Sequence, residues 1–90
     1  MTVQELNTVL GNNIKLYRRL KNISRPKLAE MIGVHHLQLI KWETGQAMVR
    51  GSNLILLSSI LGVEVWELFY TGKVVLMGDE KLQRIYGVGK

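Results

Sequence analysis

Cysteine is missing from the 90-residue chain, proline and aspartate occur once each, and aromatic residues make up only 7%. Without cysteine there is no disulfide framework and no thiolate metal site, which fits a reducing compartment. The lone Asp79 and the scattered glutamates offer no paired carboxylates for acid–base work and no triad. The nine glycines form neither a GxGxxG nor a Walker pattern. Long apolar runs are also lacking. The most apolar stretch, 54–63, is interrupted by Ser58-Ser59 and falls well short of the ~20 residues that a membrane helix needs. The N-terminal residues lack the basic and apolar regions of a secretory signal. These absences lead us to expect a soluble intracellular domain that is not an enzyme, uses no cofactor and has no membrane partner.

What the chain does have is enough apolar residue, 47%, for one core and too much for a disordered polymer. Its net charge of +5 is unevenly placed. Residues 15–50 carry Lys15, Arg18, Arg19, Lys21, Arg25, Lys27, Lys41 and Arg50 against only Glu30 and Glu43, a net +6, while the rest of the chain is net −1. A solvated basic face is one reading of such a block. A polyanion partner is the other, and it is favoured because phosphate neutralisation supplies most non-specific affinity for nucleic acid.

The pattern predicts helices throughout. Thr2-Val3-Gln4-Glu5 matches a capping box, and Val3, Leu6, Leu10, Ile14, Tyr17 and Leu20 recur at helical spacing up to Lys21-Asn22. Gly11 interrupts this stripe at a cost of up to ~1 kcal/mol relative to alanine. Ser24 as cap and Pro26 in the first turn predict a second helix with Leu28, Ala29 and Ile32 inward, closed by Gly33. After Gly33-Val34-His35, a third helix is expected from His36 to Thr44, with Leu39 and Trp42 inward and Gly45 at its end. Ser52 is the expected cap of a fourth, Asn53 to Leu61, and 63–69 reads as a short fifth. Beyond it, Val74–Met77 is strand-like and Asp79 suits the start of a helix over Glu80–Tyr86. The fourth helix is apolar nearly all round, Leu56 and Ile60 included, and so calls for a cover, either the 74–77 segment or a second subunit.

Two short helices joined by a tight turn with glycine form a helix-turn-helix signature. With Ile14, Leu16 and Arg18, then Ser24, Leu28-Ala29-Glu30, Gly33-Val34, Leu39 and Trp42-Glu43-Thr44-Gly45, the chain resembles the phage-repressor and Cro-like (XRE) family. Leu54, Leu57, Leu61-Gly62-Val63 and Glu67-Leu68-Phe69 extend the likeness, which runs from Leu10-Gly11 to about Phe69. The resemblance implies an all-α, five-helix, lambda-repressor-like domain over residues 1–72 and a C-terminal extension, 73–90, for packing or dimerisation. It implies sequence-specific binding of double-stranded DNA by a bacterial or phage transcription regulator, a repressor, working as a homodimer in the cytoplasm.

By the same resemblance the helix from His36 enters the major groove. His36, Leu37, Gln38 and Lys41 then read bases, while Arg25, Lys27, His35, Gln46 and Arg50 meet the DNA backbone. Arg18 and Glu43 form a structural ion pair. Arg25 stands where relatives commonly carry glutamine, the third helix opens with histidine rather than Ser or Thr, and the loop after Gly45 lacks the usual proline. Two other readings stay open. Leu37 and Ile40, three residues apart and expected to face outward, suit a protein-interaction module of antirepressor or antitoxin type, whose partner would be another protein. A non-specific nucleoid binder would need only the basic block. His35-His36 are not expected to chelate a metal, since adjacent helical positions diverge by ~100°. Trp42, Trp66 and Phe69 are read as core rather than as stacking platforms for bases.

Overall fold

The computed structural model describes residues 1–72, so the expectations for 74–77 and 80–86 lie outside the described residues. Four α-helices, α1 (Val3–Leu20), α2 (Arg25–Ile32), α3 (His36–Glu43) and α4 (Gly51–Leu61), are followed by a 3-10 turn over Val65–Phe69. The expected fifth α-helix is therefore that turn. Five residues form too few bonds to offset helix nucleation. The carbonyls of Leu68 and Tyr70, which a continuing helix would use, instead accept from Asn13 Nδ2 at 2.8 and 2.9 Å.

Local chemistry explains the boundaries. Thr2 Oγ1 accepts the Glu5 amide at 3.1 Å and Glu5 Oε1 accepts the Thr2 amide at 2.7 Å, a reciprocal cap on α1. Ser24 Oγ accepts the Lys27 amide at 3.2 Å and opens α2. Gly33, at φ 87°, ends α2 in a left-handed conformation that a side chain would strain. His35 takes the place of the usual hydroxyl: its Nδ1 accepts the Leu37 amide at 3.1 Å, so α3 starts at His36. Ser52 does not cap α4. The extended backbone of Arg50 lets its carbonyl accept the Leu54 amide at 2.9 Å, and the helix begins two residues early, without a side-chain cap.

One core joins all five elements: Leu10, Ile14 and Tyr17 of α1, Leu28, Ala29 and Ile32 of α2, Leu39 and Trp42 of α3, Leu57 and Leu61 of α4, and Leu68, with Val49 from the loop before α4. Phe69 packs against it partly buried. Trp66 does not join it. Its ring is half-exposed and meets Tyr70 edge-on at 6.1 Å. Two positions from Leu68, it lies 200–240° away around a helix and so faces the opposite side. On α4, Ile60 packs on the core, but Ile55 and Leu56 remain exposed. No helix among the described residues is long and apolar enough to cross a membrane.

Candidate nucleic-acid interface

Helix α3 is held from one side. Leu39, Trp42 and Glu43 are buried, and they cluster within ~100° of arc on the helical wheel. Behind them runs α1, which crosses closely because residue 11 is glycine. A Cβ there would overlap the Trp42 carbonyl oxygen and lie 2.8 Å from that of Glu43. The glycine that costs helix propensity thus lets two backbones touch. Gln4 Nε2 donates to the Gly45 carbonyl at 3.0 Å, so the first turns of α1 also hold the end of α3. Helical spacing alone does not mark Gly11, Gln4 and Asn13 as positioning residues. A glycine inside an otherwise regular stripe was the available signal.

The opposite side of α3 is bare. Leu37 and Lys41, one turn apart, are exposed, and His36 is exposed in the first turn. Gln38 and Ile40 are half-buried. Ile40 is therefore not the outward partner of Leu37: it lies ~100° from Leu39, on the flank of the helix, as Gln38 does on the other flank. Lys27 in the first turn of α2, Gln46 after α3 and Arg50 before α4 are exposed as well. Lys27 Nζ makes only a surface contact with Glu30 at 3.4 Å, both side chains being well exposed, and such pairs hold little. His35 is exposed too, with Nδ1 occupied by its capping bond.

The charged centre behind α3 joins three helices. Arg18 Nε donates to Glu43 Oε2 at 2.7 Å and Arg18 Nη2 to Oε1 at 3.1 Å, a two-bond pair buried between α1 and α3. Arg18 Nη1 donates to the Ile23 carbonyl at 3.0 Å. Arg25, at the start of α2, is half-buried because its Nε also donates to Glu43 Oε1, at 2.9 Å. From sequence, Arg25 is expected to meet DNA alone. Its bond to a residue 18 positions away follows from α2 and α3 converging, which helical spacing does not reveal.

The helix-turn-helix family HTH_3 matches residues 14–67. Control protein C.SmaI of Serratia marcescens is 31% identical over 61 residues, covering 68% of this chain and 73% of that protein. An HTH-type transcriptional regulator of Rickettsia conorii is 31% identical over 70 residues, and there the chain spans about half the relative's length, 55%. Among solved structures, the restriction-modification controller protein C.AhdI from Aeromonas hydrophila superposes with a TM-score of 0.66 at 28% identity, over 70% of this chain and 96% of that one. The clp gene regulator ClgR from Corynebacterium glutamicum gives 0.67 at 27% identity, over 70% and 67%.

Proposed function

The chain belongs to the helix-turn-helix family HTH_3, and from that premise we propose that it binds a specific duplex DNA site as a transcription regulator, with α3 in the major groove. One observation carries this reading: the buried residues of α3 share one side, and the opposite face displays Leu37 and Lys41, with His36 exposed in the first turn, within the basic block. Lys41 donates to guanine O6 or N7, and Leu37 packs on a thymine methyl, both groups that only the major groove displays. Gln38 and His36 read from the flank and the first turn. Lys27, Gln46 and Arg50 contact phosphates and set the register. With Nδ1 of His35 occupied by the Leu37 amide, its Nε2–H is the donor left for the backbone. Arg25 adds a further phosphate contact.

Two copies would read two half-sites about one helical turn, ~34 Å, apart, since dimers of this motif bind palindromes. The homodimer acts where the chromosome is, in the cytoplasm of a bacterium or of a phage's host, and represses by occupying its site. The rival protein-interaction reading required an apolar pair on α3. With Ile40 half-buried, that face reduces to Leu37 alone.

The test is to select bound sequences from a random duplex pool at near-physiological salt and then vary protein and site together. Leu37→Ala should weaken the selected site, and replacing the contacted thymine by uracil, which lacks only the methyl, should cause a similar loss. The two losses should not add. Lys41→Ala should lose ~1–3 kcal/mol on the selected site and less on unrelated DNA. A pool that yields no preferred sequence would leave only non-specific binding.

A further inference from the structure

A single buried carboxylate serves two arginines, and only one of them is needed to satisfy it. The Glu43 side chain is 1% exposed, and Arg18 already meets it with two parallel bonds that neutralise its charge. Arg18 is fully used, since its remaining Nη1 is on the Ile23 carbonyl. Arg25 therefore adds a second positive charge that the buried pair does not require, and its side chain stays 38% exposed. Among the described residues its Nε is the one nitrogen that is bonded, to Glu43 Oε1 at 2.9 Å.

We infer that Glu43 is a positioning residue for DNA: it fixes the Arg25 guanidinium through Nε so that the Nη1/Nη2 edge is presented, already oriented, to a phosphate. This rests on the DNA-binding reading above and deepens it. A guanidinium is a rigid plane. Anchoring Nε fixes the direction of the opposite edge, whose two parallel N–H groups match two phosphate oxygens. A side chain tethered in this way has already given up much of its rotamer freedom on folding, so less is lost when it grips DNA. Glutamine lacks the charge, and lysine lacks the rigid plane. A lysine ammonium has three rotatable donors on a flexible stem, so a bond to Glu43 would not fix the direction in which the others point. The same carboxylate that locks α1 to α3 thus sets the position of a backbone contact on α2.

The experiment measures affinity against salt for the selected duplex and for an unrelated one, with arginine side-chain NMR on the free protein. Arg25→Ala should weaken both duplexes alike by roughly tenfold or more, the order expected for a charge-assisted bond, and should reduce the log–log salt slope by about 0.9. Arg25→Lys should keep the slope, because the charge remains, yet still bind several-fold more weakly than the parent. Glu43→Gln gives the sharpest sign. Removing a negative charge beside a polyanion site should tighten binding on electrostatic grounds alone, whereas loss of positioning weakens it with the slope unchanged, and that loss should vanish in an Arg25→Ala background, where a displaced α3 would still weaken binding. Should Glu43→Gln fail to fold, the parent's Arg25 Hε still decides the matter. It should exchange with water as slowly as that of Arg18 and far more slowly than that of the exposed Arg19.

Several results would overturn the inference. These are an Arg25 Hε that exchanges as fast as Arg19, an Arg25→Lys variant equal to the parent, or an Arg25→Ala variant that loses thermal stability while keeping affinity and slope. If Lys41→Ala weakens the selected site but the Arg25 variants do not, only this inference falls. If the parent binds no duplex, the DNA-binding reading falls with it.

Discussion

Across the α1–α3 seam, a glycine, a two-bond ion pair and the Gln4 bond to the Gly45 carbonyl fix how the helices meet, whereas α4 starts without a side-chain cap and rests on the core through Leu57 and Leu61. The side-chain hydrogen bond made within α4, Ser58 Oγ to the Ile55 carbonyl, is local to that helix. Hydrophobic burial is strong but non-directional, so it keeps a helix attached without fixing its rotation closely. Hydrogen bonds and backbone contact have direction. They are concentrated behind α3, the helix whose placement must be accurate if it is to meet base edges. The basis for the contrast is geometric: a hydrogen bond weakens steeply with angle, whereas an apolar contact tolerates sliding.

The contrast breaks most visibly at Gly11. Alanine should favour the helix by up to ~1 kcal/mol, yet its Cβ would run into the carbonyls of Trp42 and Glu43. We expect Gly11→Ala to lower the free energy of urea unfolding by about 3 kcal/mol, the upper end of the cost of overpacking. A neutral or stabilising result would mean that the seam has slack and the comparison fails. Leu57→Met on α4 should cost less, under ~1.5 kcal/mol in the same titration, because a volume-conserving swap can repack against a non-directional contact. A loss as large as that of Gly11→Ala would show α4 to be as closely fitted as the seam. Smallest of all is Ile55→Gln at a position 63% exposed, which should move unfolding by no more than ~0.5 kcal/mol. A larger, concentration-dependent fall in melting temperature would instead identify Ile55 as covered in a dimer, since stability then depends on protomer concentration.

Much of this architecture was legible in the sequence. The stripe from Val3 to Leu20, the Ser24 cap and the glycines at 33, 45 and 62 mark α1 to α4, because periodicity and left-handed residues are local properties. The misses have equally local causes. Ser52 has the chemistry of a cap, but the helix started where the Arg50 backbone allowed it. Trp66 reads as core from its place on a short apolar helix, but with Leu68 inward a residue two positions away faces the other side. Ile40 reads as an outward partner of Leu37 from its spacing of three, but its wheel position places it on the flank. The candidate site divides in the same way. Exposure of Leu37 and Lys41 follows from the burial of Leu39 and Trp42. The bond from Arg25 to Glu43, and the reason for Gly11, depend on how separate helices converge, and no window of sequence contains that.

The one-sided hold on α3 has a consequence for descent. Among the described residues the side chains of Leu37 and Lys41 enter no hydrogen bond or ion pair within the molecule, and both are exposed. A lineage can therefore exchange them with little effect on folding, and a duplicated copy can drift toward a new target while its scaffold is inherited unchanged. Gly11, Arg18 and Glu43 have no such freedom, because changing any of them moves the helix itself. Relatives that recognise different sites should accordingly differ at 37 and 41 long before they differ at 11, 18 or 43.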